Sequence, residues 1–301
     1  MLRYKEIFLG NRCNNKCLYC SHRHEEPSMP DFQQIVSSLR RTNERAAVLS
    51  YGEGAKESQA EEDGVLLYGG EPSLRGDLPE LIYSARRNGY RRIKLATNGR
   101  FLSDMRFLQQ ILNAGCYLFE VKMWASNPQL HDNLTQTPGS FVEAMRGLEN
   151  LIKFPDEKFV SIRIPVCQKN YTDIENTVAL GLSFGINRII LSLLDHQPTL
   201  KQVLPHIKNA INISIFNRVW ILTEGLPFCA MQDLEPHIGE IYYGWQNISG
   251  RKFKKHQYCT ACVYEEICPG IDENHLKIFS GNEFSPVKES RYVQDIKVIN
   301  G

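Results

Sequence analysis

The sequence contains no long hydrophobic run and almost no excess of charge of either sign. No apolar stretch approaches the roughly 20 residues that a membrane-spanning helix needs, and the N-terminal residues MLRYKEIFLGNRC lack the length and cleavage site of a signal peptide. The formal net charge of +1 gives no overall attraction to nucleic acid, and the short basic run at 251–255 is typical of a solvated loop. We therefore expect a cytoplasmic protein with neither a membrane nor a nucleic-acid partner.

Cysteine is the unusual component of this composition, because the chain has nine. Most of them fall into two spaced groups. These are Cys13, Cys17 and Cys20 near the N-terminus, and Cys229, Cys259, Cys262 and Cys268 near the C-terminus. In a reducing compartment, grouped cysteines indicate metal binding rather than disulfide bonds. The sequence therefore predicts two metal sites.

Short β-rich runs alternate with amphipathic stretches over the first two thirds of the chain, a pattern that predicts βα units around a parallel sheet. The predicted strands are 4–9, 64–68, 92–96, 117–123, 159–166 and 188–193. The predicted helices are 32–41, 78–88, 105–114, 141–154 and 174–184. Six units favour an α/β fold, a partial (β/α)6 TIM-like barrel, with the active site at the C-terminal ends of the strands.

The βα rhythm is lost after Asp195, where a helical stretch, a short strand at 218–222 and an irregular tail follow. We therefore place the barrel core in residues 1–195 and a small C-terminal extension in residues 196–301. The extension carries the second cysteine group. Residues 42–63 are polar and lack periodicity, so they are expected to be a solvated insertion in the core.

The first cysteine group has the spacing CxxxCxxC and directly follows the first predicted strand. Three thiolates can hold one iron-sulfur cluster, and three ligands for four irons leave one coordination site open. A zinc site completed by His22 or His24 is the alternative. After the second strand, Gly69, Gly70, Glu71 and Pro72 form a GGEP element, which by itself could be a turn that opens a helix.

Together, CxxxCxxC with Tyr19 before its third cysteine and GGEP after strand two resemble the radical S-adenosylmethionine (SAM) superfamily. This resemblance implies an oxygen-sensitive [4Fe-4S] cluster on Cys13, Cys17 and Cys20, whose open iron binds SAM. It places Tyr19 near the adenine, and it assigns the SAM amino group to Gly69, Gly70, Glu71 and Pro72.

The remaining SAM contacts are less regular. The fourth strand ends in VKMWAS and departs from the family pattern, so Ser126 and Lys122 are the polar candidates for the ribose contact. Arg163 lies in an apolar strand and must find a partner. The resemblance would pair it with the SAM carboxylate, whereas a structural ion pair is the alternative. Cys167 follows the fifth strand and is a candidate hydrogen-atom donor, although free buried cysteine is common.

The C-terminal cysteines, with the spacing CxxCxxxxxC and Cys229 upstream, could saturate a second iron-sulfur cluster or a structural zinc ion. The spacing resembles that of SPASM and twitch extensions, which implies an auxiliary [4Fe-4S] cluster on Cys229, Cys259, Cys262 and Cys268. A full SPASM pattern would have a further cysteine where this chain has Asp272, so the extension looks twitch-like and supports one auxiliary cluster.

The resemblance implies that a one-electron donor, such as flavodoxin or ferredoxin, reduces the first cluster, and that SAM is then cleaved to a 5′-deoxyadenosyl radical that abstracts hydrogen from a substrate. A peptide or protein is the leading substrate, as for a maturase, and a small molecule of cofactor or metabolite biosynthesis is the alternative. From a different class, a zinc-stabilised protein that contacts RNA through its basic run also fits the cysteine spacing.

Overall fold

The computed structural model describes residues 4–40, 64–154, 159–194, 198–244, 252–279, 281 and 283–300. The predicted insertion at 42–63 and the predicted boundary at Asp195 lie outside these residues. Within them, no helix is long and apolar enough to cross a membrane.

Seven parallel strands form one sheet whose spatial order is the chain order. The strands are β1 Tyr4–Phe8, β2 Gly64–Tyr68, β3 Arg92–Thr97, β4 Leu118–Lys122, β5 Phe159–Val166, β6 Arg188–Leu193 and β7 Trp220–Glu224. The helices that follow them are α1 Phe32–Leu39, α2 Leu78–Arg87, α3 Met105–Ala114, α4 Pro128–Thr135, α5 Ser140–Ile152, α6 Ile174–Ser183 and α7 Leu200–Phe216. Parallel neighbours need such crossover helices, and the predicted α/β partial barrel is confirmed.

The sheet has one strand more than the six predicted for the barrel. The segment 218–222, assigned to the extension from the sequence, contains most of β7, which pairs with β6 from Arg188↔Trp220 to Ser192↔Glu224. The helix α7 is the crossover between these two strands. A five-residue strand carries no local signal for its partner, because pairing is decided by tertiary packing.

The two faces of the sheet differ in polarity. Side chains such as Leu67 on β2 and Leu95 on β3 are fully buried in the core shared with the helices. The opposite face carries Lys94, Glu120 and Arg163 on β3, β4 and β5, which alternate with buried apolar residues at the period of two expected of strands. Purely parallel sheets are normally apolar on both faces. The inner face of this barrel differs because it carries charged side chains.

The C-terminal extension consists of short elements. These are α8 Glu240–Tyr243, the antiparallel pair β8 Phe253–Lys254 and β9 Ile271–Asp272, α9 Glu273–Phe279 and α10 Val293–Asn300. Phe228 and Tyr264 stack with ring centroids 4.3 Å apart, and both are buried. The Tyr264 hydroxyl also hydrogen-bonds Glu235 at 3.1 Å. The extension therefore packs through aromatic contacts on the segment that follows β7.

Candidate active site

The first three cysteines lie on the loop that follows β1, at the carboxyl end of the sheet. Burial raises the pKa of the Cys17 thiol to about 11; the Lys122 ammonium opposes this rise, and Cys13 and Cys20 add to it. Such couplings require short separations, so the structure brings the three thiols into one small region beside Lys122.

The helix α4, which was not predicted, holds this cysteine loop in place. The amide of Lys16 donates to the Thr135 carbonyl and the amide of Leu18 donates to the Leu134 carbonyl, both at 2.9 Å. These acceptors belong to the last turn of α4, where carbonyls have no partner inside the helix. The sequence does carry a signal for this helix, because Asn127 caps it and Pro128 occupies its first turn.

A buried polar cluster fixes the end of α4. The His131 ring hydrogen-bonds Ser140 at 3.2 Å, and the Ser140 hydroxyl lies 2.7 Å from that of Thr135 and 2.8 Å from Asp132. Burial lowers the pKa of His131 to about 4, although Asp132 favours its protonation. His131 is therefore a neutral imidazole at physiological pH, and it supports the turn that contacts the cysteine loop.

The two glycines of GGEP allow a close approach of the backbone that leads into the cysteine loop. A Cβ atom at Gly69 would lie 2.2 Å from the Gly10 carbonyl oxygen, and one at Gly70 would lie 2.3 Å from that of Asn11. The Gly70 amide donates to Gly10 at 2.8 Å, and the next amide donates to Arg12 at 2.7 Å. The glycines thus join β2 to the segment that leads into the cysteine loop.

The Glu71 carboxylate is buried beside the end of β3. It is only 3% exposed and accepts hydrogen bonds from the Ser73 amide and hydroxyl, the Thr97 hydroxyl at 2.7 Å and the Asn98 amide at 2.6 Å. Pro72 then begins a short 3-10 turn, as the turn interpretation predicted. Because four donors already surround the carboxylate, Glu71 links the ends of β2 and β3. A direct contact between this carboxylate and the SAM ammonium group stays a prediction, and it would have to compete with these four donors.

Arg100, which the sequence analysis did not single out, also contacts the cysteine loop. Its Nη1 donates to the Asn14 carbonyl at 2.6 Å and to Asn15 Oδ1 at 2.8 Å. Its Nε pairs with Glu143 on α5 at 2.5 Å. The guanidinium therefore bridges a helix of the core and the loop between two cysteines.

Tyr19 lies in a small apolar cluster at the same end of the barrel. Its ring stacks on that of Trp124 with centroids 6.3 Å apart. Behind it, Cys167 is fully buried with Trp124 and Leu134. Burial raises the pKa of Tyr19, and the nearby Cys167 adds to this rise. Trp124 thus supports Tyr19. The burial of Cys167 favours a packing role, and its role as a hydrogen-atom donor stays a prediction.

Ser126 is held by the loop that follows β5. Its amide and hydroxyl both donate to the Asp173 carboxylate, at 2.7 and 2.8 Å. Nearby, the Asn170 side chain donates to the Trp124 carbonyl at 2.7 Å. The hydroxyl proton of Ser126 is therefore committed to Asp173, which leaves only its oxygen lone pairs for a ligand.

Arg163 takes part in a buried ion-pair network, the second of its two interpretations. Its Nε lies 2.5 Å from Glu120, its Nη1 pairs with Glu224, and Lys94 lies 2.5 Å from Glu120. Burial opposes ionisation of Glu120, but the two cations hold its pKa well below the usual range. Tyr243 donates to Glu224 at 2.6 Å. The predicted pairing of Arg163 with the SAM carboxylate would have to compete with two glutamates.

Lys122 occupies the end of β4, two residues beyond Glu120 on the same face. It is exposed, and it lowers the pKa values of Cys13 and Cys17 against the larger effect of burial. The site therefore presents a positive charge close to the cysteine loop.

The four C-terminal cysteines line one partly open pocket. Burial raises the pKa of Cys229 to about 12, and Cys268, Cys262 and Cys259 add to this rise. The walls also include apolar side chains such as Phe228 and Phe284. The structure therefore brings the four thiols of the second group together, and thiolates are the ligands that iron-sulfur clusters and structural zinc ions both use.

Among the described residues, no three Cys, His, Asp or Glu side chains surround a position for a single metal ion. His22, which was considered as a fourth ligand beside the N-terminal cysteines, pairs with Glu25 at 2.7 Å. Thiols that bind a four-iron cluster are spread around its corners, whereas zinc ligands surround one atom. The residues at both sites are of the right kind for a cluster.

The radical SAM superfamily model matches residues 7–181, which is more than half of the chain and extends from β1 into α6. The chain therefore belongs to the radical SAM superfamily, whose enzymes use a [4Fe-4S] cluster and SAM. It is 32% identical over 115 residues to 7,8-dihydro-6-hydroxymethylpterin dimethyltransferase of Methanocaldococcus jannaschii, covering 36% of this chain and 20% of that protein. It is 26% identical over 187 residues to a probable GTP 3′,8-cyclase of Saccharolobus islandicus, covering 62% and 54%. The chain thus matches about half, or less, of the length of these relatives.

Solved structures share the fold over nearly the whole chain. The structure of anSMEcpe with bound AdoMet has a TM-score of 0.62 at 14% identity and covers 99% of this chain and 96% of that one. Streptococcus suis SuiB bound to S-adenosylmethionine has a TM-score of 0.60 at 13% identity and covers 95% and 76%. At these identities the likeness shows the fold alone.

Proposed function

We propose that Cys13, Cys17 and Cys20 hold the cluster of this radical SAM enzyme and that SAM binds across the adjoining strand ends. When bound, the cluster and SAM together supply a 5′-deoxyadenosyl radical that abstracts hydrogen from the substrate. The chain positions the reactants through the contacts of the cysteine loop with β2, β3 and α4. The observation that carries this proposal is the convergence of the three thiols at the carboxyl end of the sheet, where GGEP also lies.

For the SAM contacts, we propose Tyr19 beside the adenine, the backbone of Gly69, Gly70 and Pro72 at the amino group, and the Ser126 lone pairs at the ribose. Lys122 is a better candidate for the carboxylate than Arg163, because it is exposed, whereas Arg163 already pairs with two glutamates. Isothermal titration of SAM should show a weaker affinity in Lys122→Met. An unchanged affinity would exclude this role of Lys122.

A peptide or protein is the proposed substrate, modified as by a maturase. Two structures that share the fold contain peptides: SuiB is bound to precursor peptide SuiA, and anSMEcpe contains Kp18Cys peptide. The likeness includes the C-terminal extension, since anSMEcpe matches 99% of this chain. A small molecule is the second candidate, because the curated relatives include GTP cyclases and a pterin methyltransferase.

We further propose an auxiliary [4Fe-4S] cluster on Cys229, Cys259, Cys262 and Cys268, supported by the cavity that these thiols share. Zinc remains the alternative. Metal analysis after anaerobic reconstitution should find about eight irons per chain, and Cys262→Ala should lower this to about four. Stoichiometric zinc that is lost in this variant would assign the site to zinc instead.

The central test is production of 5′-deoxyadenosine by reconstituted protein that receives SAM and a one-electron donor, such as flavodoxin or ferredoxin. The wild type should be brown and should cleave SAM, as expected of an enzyme in the reducing cytoplasm. Cys17→Ala should lose cleavage, whereas Cys116→Ala, which changes a buried cysteine outside both groups, should retain it. A colourless zinc protein without cleavage would favour the RNA-binding alternative. Deuterium transfer from labelled peptide or from labelled GTP into 5′-deoxyadenosine would then separate the two substrate classes.

A further inference from the structure

The turn that follows β3 contacts the cysteine loop at several points. Arg100 donates to the Asn14 carbonyl and to the Asn15 side chain, and Asn98 Nδ2 donates to Asn14 Oδ1 at 2.7 Å. Asn98 Nδ2 also lies 3.9 Å from the Cys13 sulfur, within reach of a weak N–H···S bond. These contacts concentrate on the segment from Cys13 to Asn15.

The orientation of the Asn98 amide follows from its other partners. Its Oδ1 accepts from the Arg100 amide at 3.1 Å, which leaves Nδ2 directed at Asn14 and Cys13. Its backbone amide is fixed by Glu71 at 2.6 Å. The turn between Asn98 and Arg100 needs glycine, because Gly99 has a φ of +78° and a Cβ there would lie 2.9 Å from Val121. The two side chains are thus held on one side of the turn.

Two N–H groups therefore lie near the Cys13 sulfur. It accepts from the Asn15 amide at 3.3 Å as well as from Asn98. The Arg100 side chain is 13% exposed. Its Nε pairs with Glu143, which offsets part of its charge, and its Nη1 brings the remaining positive charge to the same segment. A reduced cluster carries one more negative charge than an oxidised one, so N–H donors and nearby cations favour reduction and raise the potential.

We propose that Asn98 and Arg100 are positioning residues that hold the Cys13–Asn15 segment and raise the reduction potential of the SAM cluster. Asn98 acts through its donor to the Cys13 sulfur, and Arg100 acts through its charge and its two hydrogen bonds to the loop. This inference rests on the proposed placement of the cluster on the three N-terminal cysteines. The absorption spectrum and iron content of the wild type, and their loss in Cys17→Ala, test that placement separately.

The test is a potentiometric titration of the reconstituted full-length protein, followed by electron paramagnetic resonance without SAM. All variants are made in a Cys262→Ala background, which removes the proposed auxiliary cluster. Only the N-terminal cluster then contributes to the resonance signal. Asn98→Asp keeps the acceptor for the Arg100 amide and replaces the N–H donor with an oxygen that faces the sulfur. Arg100→Met removes the charge, and Arg100→Lys keeps it. Arg106→Met, on the exposed face of α3, is the matched control.

Asn98→Asp and Arg100→Met should each shift the midpoint potential to a more negative value, Arg100→Lys should restore part of it, and Arg106→Met should leave it unchanged. Loss of iron from Arg100→Met with retained circular dichroism, and its return in Arg100→Lys, would also support the positioning role. A full iron content and an unchanged potential in both Asn98→Asp and Arg100→Met would overturn the proposal. So would unfolding of both variants, since these residues would then serve the scaffold alone.

Discussion

Replacement of Arg163 by methionine tests whether the inner face of the barrel is held by ion pairs or is used for SAM. The Arg163 guanidinium pairs with Glu120 and Glu224, whose side chains are 7% and 11% exposed. Loss of one partner of a buried pair costs about 3–5 kcal/mol, because a buried charge is left uncompensated. Here the Arg163 side chain is itself 24% exposed, Glu120 keeps Lys94, and Glu224 keeps Tyr243. We therefore expect a smaller loss, about 2 kcal/mol.

Anaerobic urea unfolding of the reconstituted protein measures this loss, and calorimetry measures the SAM affinity of the same samples. Addition of Glu224→Gln to Arg163→Met should recover part of the stability, because it removes one unpaired charge. Arg188→Met is the matched control, since Arg188 is exposed on β6 and contacts only the Phe159 ring in the interactions described, at 4.9 Å. It should cost about 1 kcal/mol or less. An Arg163→Met protein of normal stability with much weaker SAM binding would refute the reasoning and restore the SAM contact.

Three further changes test how the cysteine loop is supported. The fold favours the neutral form of His131, so the contribution of His131 to stability is complete above pH 6.5 and declines as the pH falls towards 4. Relative to His131→Gln, the wild type should therefore lose about 1.3 kcal/mol of unfolding free energy between pH 7.5 and 5.5. Equal slopes in the two proteins would contradict this. Gly70→Ala should lose cluster iron, because its Cβ would collide with the Asn11 backbone, whereas Gly76→Ala, where a Cβ meets nothing within 4 Å, should not. Thr97→Val should cost about 1.5–3 kcal/mol in urea unfolding through the lost bond to the buried Glu71 carboxylate, and an unchanged midpoint would argue against that bond.

Motifs and periodicity predicted the strands of the core and the two cysteine groups, because both are local in sequence. The seventh strand was predicted as a strand of the extension, because only its pairing with β6 shows that Trp220–Glu224 belongs to the sheet. The pairing of Arg163 is also a tertiary property, because Glu120 and Glu224 lie on other strands.

GGEP shows a different limit of sequence reasoning. The motif predicts the position of Glu71 correctly, at the strand end beside the site, but it does not identify the acceptor or donor that meets the carboxylate. Donors from Thr97 and Asn98 come from β3, and they are brought to Glu71 only by the parallel pairing of β2 with β3. The helix α4 was the avoidable omission, because Asn127 and Pro128 mark its start.

The attachment of the cysteine loop to the last turn of α4 has a consequence for how the enzyme acquires iron. Two backbone hydrogen bonds and the GGEP contacts order the loop by protein interactions alone, so little conformational entropy remains to be lost when the metal arrives. The C-terminal cysteines instead lie among very short elements, with strands of two residues. During iron starvation the N-terminal loop should therefore keep its shape and refill readily, whereas the extension should depend on metal for its folding.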